Sequence, residues 1–76
     1  MDWKKHIAID ANVLAGRPRV AGTRIAVEQV LRHLGNGWAV DQLLQEYPTL
    51  TREGVLACIA YAAEYLGSER LAAIPG

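Results

Sequence analysis

The sequence predicts a mainly α domain. Three short helices form a helix-turn-helix of the winged-helix or homeodomain-like kind, behind a short N-terminal β-strand or hairpin. Three observations carry this prediction. Apolar residues recur at i, i+3, i+4 and i+7 in Val27, Val30, Leu31 and Leu34, and again in Val40, Leu43, Leu44 and Tyr47. An almost unbroken apolar run extends from Val55 to Leu66. Gly35-Asn36-Gly37 and Pro48 punctuate these segments where helices must stop. The 76 residues make one domain, with short strands and a Gly/Pro/Arg loop in 5–26, three helices in 27–66 and a tail in 67–76.

In chain order, His6-Ile7-Ala8-Ile9-Asp10 alternates and reads as a short strand with Ile7 and Ile9 on one face. Its expected partner is Thr23-Arg24-Ile25-Ala26, or else the strand reaches across to a second subunit. Asp10-Ala11-Asn12 supplies turn-forming side chains, and Val13-Leu14-Ala15 makes one tight turn ending at Gly16. Helix one, Val27 to Leu34, has Glu28 in its first turn and Arg32-His33 in its last, complementing the helix dipole at both ends. That role for His33 outweighs a functional one. Trp38 reads as a core or interface anchor before it reads as a platform for a base.

Helix two runs from Val40 to Tyr47 and Pro48 ends it. Thr51 then caps helix three, Glu53 sits in its first turn, and Leu50 and Val55 are placed to form a hydrophobic staple. From Val55 to Leu66 this helix is apolar on nearly every side, so it must be buried all round. Helices one and two cover one face. A second subunit or a different protein is expected on another, with Leu56, Tyr61 and Tyr65, together with Ile7, Ile9 and Trp38, as candidate interface residues. Gly67 and Ser68 end the helix, and Glu69-Arg70-Leu71-Ala72 allows one more helical turn before Pro75.

Composition narrows the function classes. A chain this short buries only about 60–65% of its unfolded surface, so its core is modest. No apolar run approaches the ~20 residues of a membrane span, and nothing after Met1-Asp2-Trp3-Lys4-Lys5 reads as a signal peptide; the expectation is a cytoplasmic protein with no membrane partner. One cysteine, Cys58, and two histidines, His6 and His33, give no basis for a disulfide, a metal cluster or another cofactor. Cys58 reads as a small buried hydrophobe rather than a nucleophile, because no base lies at helical spacing from it. Nucleophile, base and oxyanion donor are nowhere arranged together, and no enzyme is expected.

The net charge is zero, which argues against strong non-specific nucleic-acid binding. The distribution is uneven: residues 1–38 carry six basic and three acidic groups, a balance of +3, and residues 39–76 carry two basic and five acidic groups, a balance of −3. The positive charge gathers in the ten residues Gly16-Arg17-Pro18-Arg19-Val20-Ala21-Gly22-Thr23-Arg24-Ile25. Glycines there permit φ > 0 while Pro18 fixes its own φ and extends Arg17. Solvated turn arginines and an anion- or partner-binding loop are both compatible with that composition.

Gly16-Arg17-Pro18, Gly22-Thr23-Arg24-Ile25, Glu46-Tyr47-Pro48-Thr49-Leu50-Thr51 and Ala60-Tyr61-Ala62, in this order, resemble the bacterial and archaeal family known as domain of unknown function 433. The resemblance runs from about Ile7 to Tyr65. It implies a small helix-turn-helix-like domain acting as an antitoxin of VapB type, the other half of the toxin-antitoxin pair being a PIN-like nuclease. Two functions follow as expectations. One is a homodimeric DNA-binding regulator acting on its own promoter, with Thr51 and Arg52 as candidate base or phosphate contacts and Arg17, Arg19 and Arg24 as phosphate contacts. The other is a protein-interaction module that neutralises the nuclease without binding DNA. The start of helix three offers only Arg52 as a side chain suited to reading bases.

Overall fold

In the computed structural model, which describes residues 1–68, two very short strands and three α-helices share one core. A 3-10 turn at Trp3–Lys5 leads into β1 (Ile7–Ala8), and a tight turn at Leu14–Gly16 leads into β2 (Arg19–Val20). The helices are α1 (Val27–Gly35), α2 (Val40–Glu46) and α3 (Arg52–Ser68). The suggested turn at Glu69–Ala72 lies outside the described residues. No helix among the described residues is long and apolar enough to cross a membrane.

β1 pairs antiparallel with β2, Ile7 opposite Val20 and Ala8 opposite Arg19. The expected partner, 23–26, is therefore corrected: only Ala26 bridges, and it bridges Arg19 on the other side of β2. The cause lies in the turn between. Thr23 donates both its backbone N–H and its hydroxyl to the Val20 carbonyl, at 3.1 and 2.8 Å, and its hydroxyl oxygen accepts from Ile25 N at 3.0 Å. Gly22 takes φ +79° to close that turn. Arg24 is thus a turn residue. Ile7 and Ile9 do not share a buried face either: Ile7 belongs to the core while Ile9 is 62% exposed, because pairing stops at Ala8.

The tight turn before β2 is left-handed, with Leu14 at φ 52°, Ala15 at φ 55° and Gly16 at φ 82°. Its bonds run from Gly16 N to Val13 O and from Arg17 N to Leu14 O. Asp10 Oδ1 accepts from Asn12 N at 2.9 Å and holds the preceding turn as expected.

α1 begins without a side-chain cap, but the Pro18 carbonyl accepts its first free N–H, from Val27, at 3.0 Å. It ends in a Schellman arrangement: Gly37 at φ +93° donates to Leu34 O and Trp38 donates to His33 O. α2 stops at Glu46, one residue short of expectation, because Pro48 holds Tyr47 out of the helical region at φ −122°, ψ 88°. α3 begins where Thr51 predicts it: the Thr51 hydroxyl oxygen accepts from Gly54 N at 3.0 Å. Gly67 and Ser68, expected to end this helix, are its last described residues.

The core comprises Ile7, Val20, Ile25, Val27, Val30, Leu43, Leu50, Val55, Ala57 and Cys58, with Leu43, Val30, Val55 and Cys58 completely covered. Both residues of the expected staple, Leu50 and Val55, lie in it. Among the described residues no polar or charged side chain is fully buried. The half-buried Trp3, Leu31, Leu34, Trp38, Val40, Leu44, Tyr47 and Tyr61 pack around its edge.

Candidate functional site

α3 has two unlike sides. Gly54, Val55, Ala57 and Cys58 face the core, whereas Leu56, Ile59 and Leu66 are 49%, 43% and 54% exposed and Ala63 is exposed with them. These four positions are spaced three, four and three residues apart. That is the a–d spacing of a coiled-coil seam, in which each apolar knob seats between residues of a facing helix. The helix-turn-helix expectation places the same outward surface against DNA bases.

Beside this stripe an open groove of about 620 Å³ lies between the Arg17-Pro18 loop, α1 and the C-terminal half of α3, with Leu31, Tyr61 and Leu66 in its walls. Its rim is ionic. Arg17 Nη1 donates to Glu28 at 3.0 Å, and Arg32 joins the same carboxylate at 3.4 Å. Trp3 packs edge-on to Tyr61 at 4.9 Å between ring centroids, and its indole N–H donates to Glu64. Tyr61 and Tyr65 stack at 6.4 Å, placing both along the helix edge.

A second cavity of about 390 Å³ opens on the other side of the arginine loop, lined by Val13, Arg19, Gly22, Thr23, Arg24 and Thr49. Of the three loop arginines, the structure brings Arg19 and Arg24 together here and turns Arg17 to the apolar groove. Arg19 is half-buried, with Nη1 donating to Thr23 O at 3.1 Å and Nε enclosed without a partner.

At the start of α3 the candidate DNA contacts are already engaged. Thr51 spends its hydroxyl oxygen on the cap, and Arg52 pairs with Asp41 at 2.5 Å. Ile7, a candidate interface residue, is in the core. Trp38 packs on the His33 ring at 4.2 Å. His33 also meets the Tyr47 hydroxyl at 3.0 Å, and Gln29 donates to that hydroxyl at 2.8 Å, a network joining α1 to the end of α2. Sequence reasoning missed Gln29, Glu28, Asp41 and Glu64 as partners; only Glu28 with Arg32, at i and i+4, carried a readable signal. Burial pushes the Cys58 thiol up to about 11, leaving it protonated and inert at neutral pH. Among the described residues no three His, Cys, Asp or Glu side chains are grouped to hold a metal ion.

A family model described as protein of unknown function (DUF433) matches residues 7–62. Among solved structures, the crystal structure of a DUF433 member protein from Anabaena variabilis ATCC 29413 is similar at 30% identity with a TM-score of 0.76. The alignment covers 83% of this chain and 62% of that one, so this chain spans about three fifths of that protein's length. No curated protein matches.

Proposed function

We propose that this chain, which belongs to the DUF433 family, is a non-catalytic protein-interaction module of antitoxin type that works as a homodimer. One observation carries the reading: the outward stripe Leu56, Ile59, Ala63 and Leu66 has coiled-coil spacing and is exposed in the single chain. Exposed apolar surface of this kind marks an interaction site. A stripe of constant spacing is complementary to a second copy of itself, so the occupant is α3 of another chain. The uneven charge, +3 over residues 1–38 and −3 over 39–76, favours association between copies. The antitoxin part rests on the family resemblance, which implies a PIN-like nuclease as partner. The groove beside α3, apolar in its walls and ionic at its rim, is the surface offered to that partner.

Sedimentation equilibrium tests the pairing. Wild-type chain should sediment as a dimer and Ile59→Asp as a folded monomer, since Ile59 is 43% exposed and its replacement leaves the core intact. A monomeric wild type at every concentration overturns the reading. RNA cleavage by a PIN-like nuclease from the same genome, with and without the chain, tests the neutralising role. The helix-turn-helix layout of α2 and α3, joined by residues 47–51 under the Thr51 cap, favours a second reading as a DNA-binding regulator. It is the weaker reading, because the exposed stripe along α3 is apolar and Arg52 is paired with Asp41.

A further inference from the structure

We infer that the cavity between Arg19, Arg24 and Thr49 is a binding site for a phosphate group. The pattern of ion pairing singles it out. Five arginines lie in the described residues. Arg17 and Arg32 share the Glu28 carboxylate and Arg52 holds Asp41. The two left without a carboxylate, Arg19 and Arg24, line the same cavity, and no acidic residue lines it with them. Arg24 makes no hydrogen bond or ion pair within the described residues. Arg19 uses only one of its five donors, on Thr23 O, while its Nε is enclosed with no acceptor.

Two unused neutral donors complete the set. The Gly22 backbone N–H and the Thr49 hydroxyl make no hydrogen bond within the described residues, and both residues line the cavity. Two guanidinium groups lining a common space without an anion repel each other; an oxyanion there removes the repulsion and accepts from the guanidinium N–H groups not already used. The donors' arrangement favours phosphate over carboxylate. They come from β2, from the Gly22–Arg24 turn that follows it and from the turn before α3. A planar carboxylate is served by one guanidinium fork, whereas a tetrahedral phosphate offers oxygens to donors on several sides. The phosphate can be free or part of a polynucleotide backbone, and the chemistry is the same.

The site is independent of the α3 pairing surface, and its test is separate from that reading. Uniformly 15N-labelled full-length chain is titrated with inorganic phosphate, with acetate at equal ionic strength, with a glutamate-rich peptide and with a short DNA duplex. Phosphate should produce saturable shifts of the Gly22, Thr23 and Arg24 amides that acetate does not. Arg24→Gln, which breaks no contact in the fold, should weaken binding about tenfold, the usual loss for one charge-assisted hydrogen bond. Arg17→Gln, outside this cavity and turned to the apolar groove, should leave binding unchanged. Stronger shifts of the same amides with the duplex identify a backbone phosphate; shifts with inorganic phosphate alone identify a free one, and both support the site. Absence of saturable shifts, equal response to acetate, a preference for the peptide, or equal loss in Arg17→Gln overturns it. Sedimentation of the same samples reports α3 pairing independently.

Discussion

Gly54→Ala sets two opposed effects against each other at the point where α3 meets the strands. In a helix interior alanine is favoured over glycine by about 1 kcal/mol. Here a Cβ would lie 3.0 Å from Val20 Cγ1, 3.3 Å from Thr51 Oγ1 and 3.5 Å from Leu50 Cδ1. Val20 has little room to retreat: it is 4% exposed, β-branched, paired with Ile7, and its N–H is bonded to Ile25 O at 2.9 Å. Thr51 cannot turn away without giving up its cap bond to Gly54 N, an interaction of about 1 kcal/mol. Overpacking of this kind costs about 1–3 kcal/mol. The steric effect wins, leaving a net loss of about 1 kcal/mol, or about 4–8 °C in Tm for a domain of this size. Thermal and urea unfolding followed by far-UV circular dichroism measures it. Adding Val20→Ala removes the clashing methyl, so the double variant should be more stable than the sum of the single effects. A Gly54→Ala chain with an unchanged or higher Tm refutes the reasoning.

Ala15→Gly should stabilise the chain by about 0.5–1 kcal/mol, because Ala15 holds φ 55° in a left-handed turn that costs an L-residue about 1–2 kcal/mol; a lower urea midpoint contradicts this. Cys58 makes stability fall with rising pH. The folded chain keeps the thiol proton up to about 11 while the unfolded thiol releases it near 9.0. Between those values the folded state binds more protons, and stability drops by at most about 1.4 kcal/mol per pH unit. The difference in urea midpoint between wild type and Cys58→Ala, followed across that window, should show this slope, and parallel curves remove the cause.

The helices were legible because their signals are local. Periodic apolar residues, a glycine able to take Gly37's φ of +93°, a threonine at 51 and a proline at 48 each act within a few residues of where they stand. The first strand was legible in place, at Ile7–Ala8, but its partner was not. Two-residue strands have no alternation to read, and the segment expected as partner, 23–26, is instead folded into a turn after β2 by three bonds to Thr23. The left-handed Leu14 and Ala15 run against side-chain preference, so composition there points away from the conformation adopted. The three loop arginines look alike in the sequence. What separates them is a carboxylate eleven residues on, Glu28, which takes Arg17 and leaves Arg19 and Arg24. The same spacing joins Asp41 to Arg52 and withdraws the best candidate base contact.

These pairings also constrain how the chain could meet a nucleic acid. A recognition helix must bring polar groups to base edges, since a base-edge donor or acceptor desolvated against an apolar side chain loses its hydrogen bonds. On α3 the exposed apolar stripe is Leu56, Ile59, Ala63 and Leu66, and pairing with a second α3 would occupy it. Among the arginines, contact with a polyanion then falls to Arg19 and Arg24, whose proposed phosphate contacts carry no sequence information. Two neutralised phosphates per chain correspond to a slope of about −1.8 in log K against log salt, and about twice that for a dimer. Fluorescence anisotropy of duplexes of unrelated sequence, titrated across a range of salt, should give that shallow slope with similar affinities for all. A steep slope with strong preference for one sequence would place α3 in the major groove, and the seam would then have to open for it to get there.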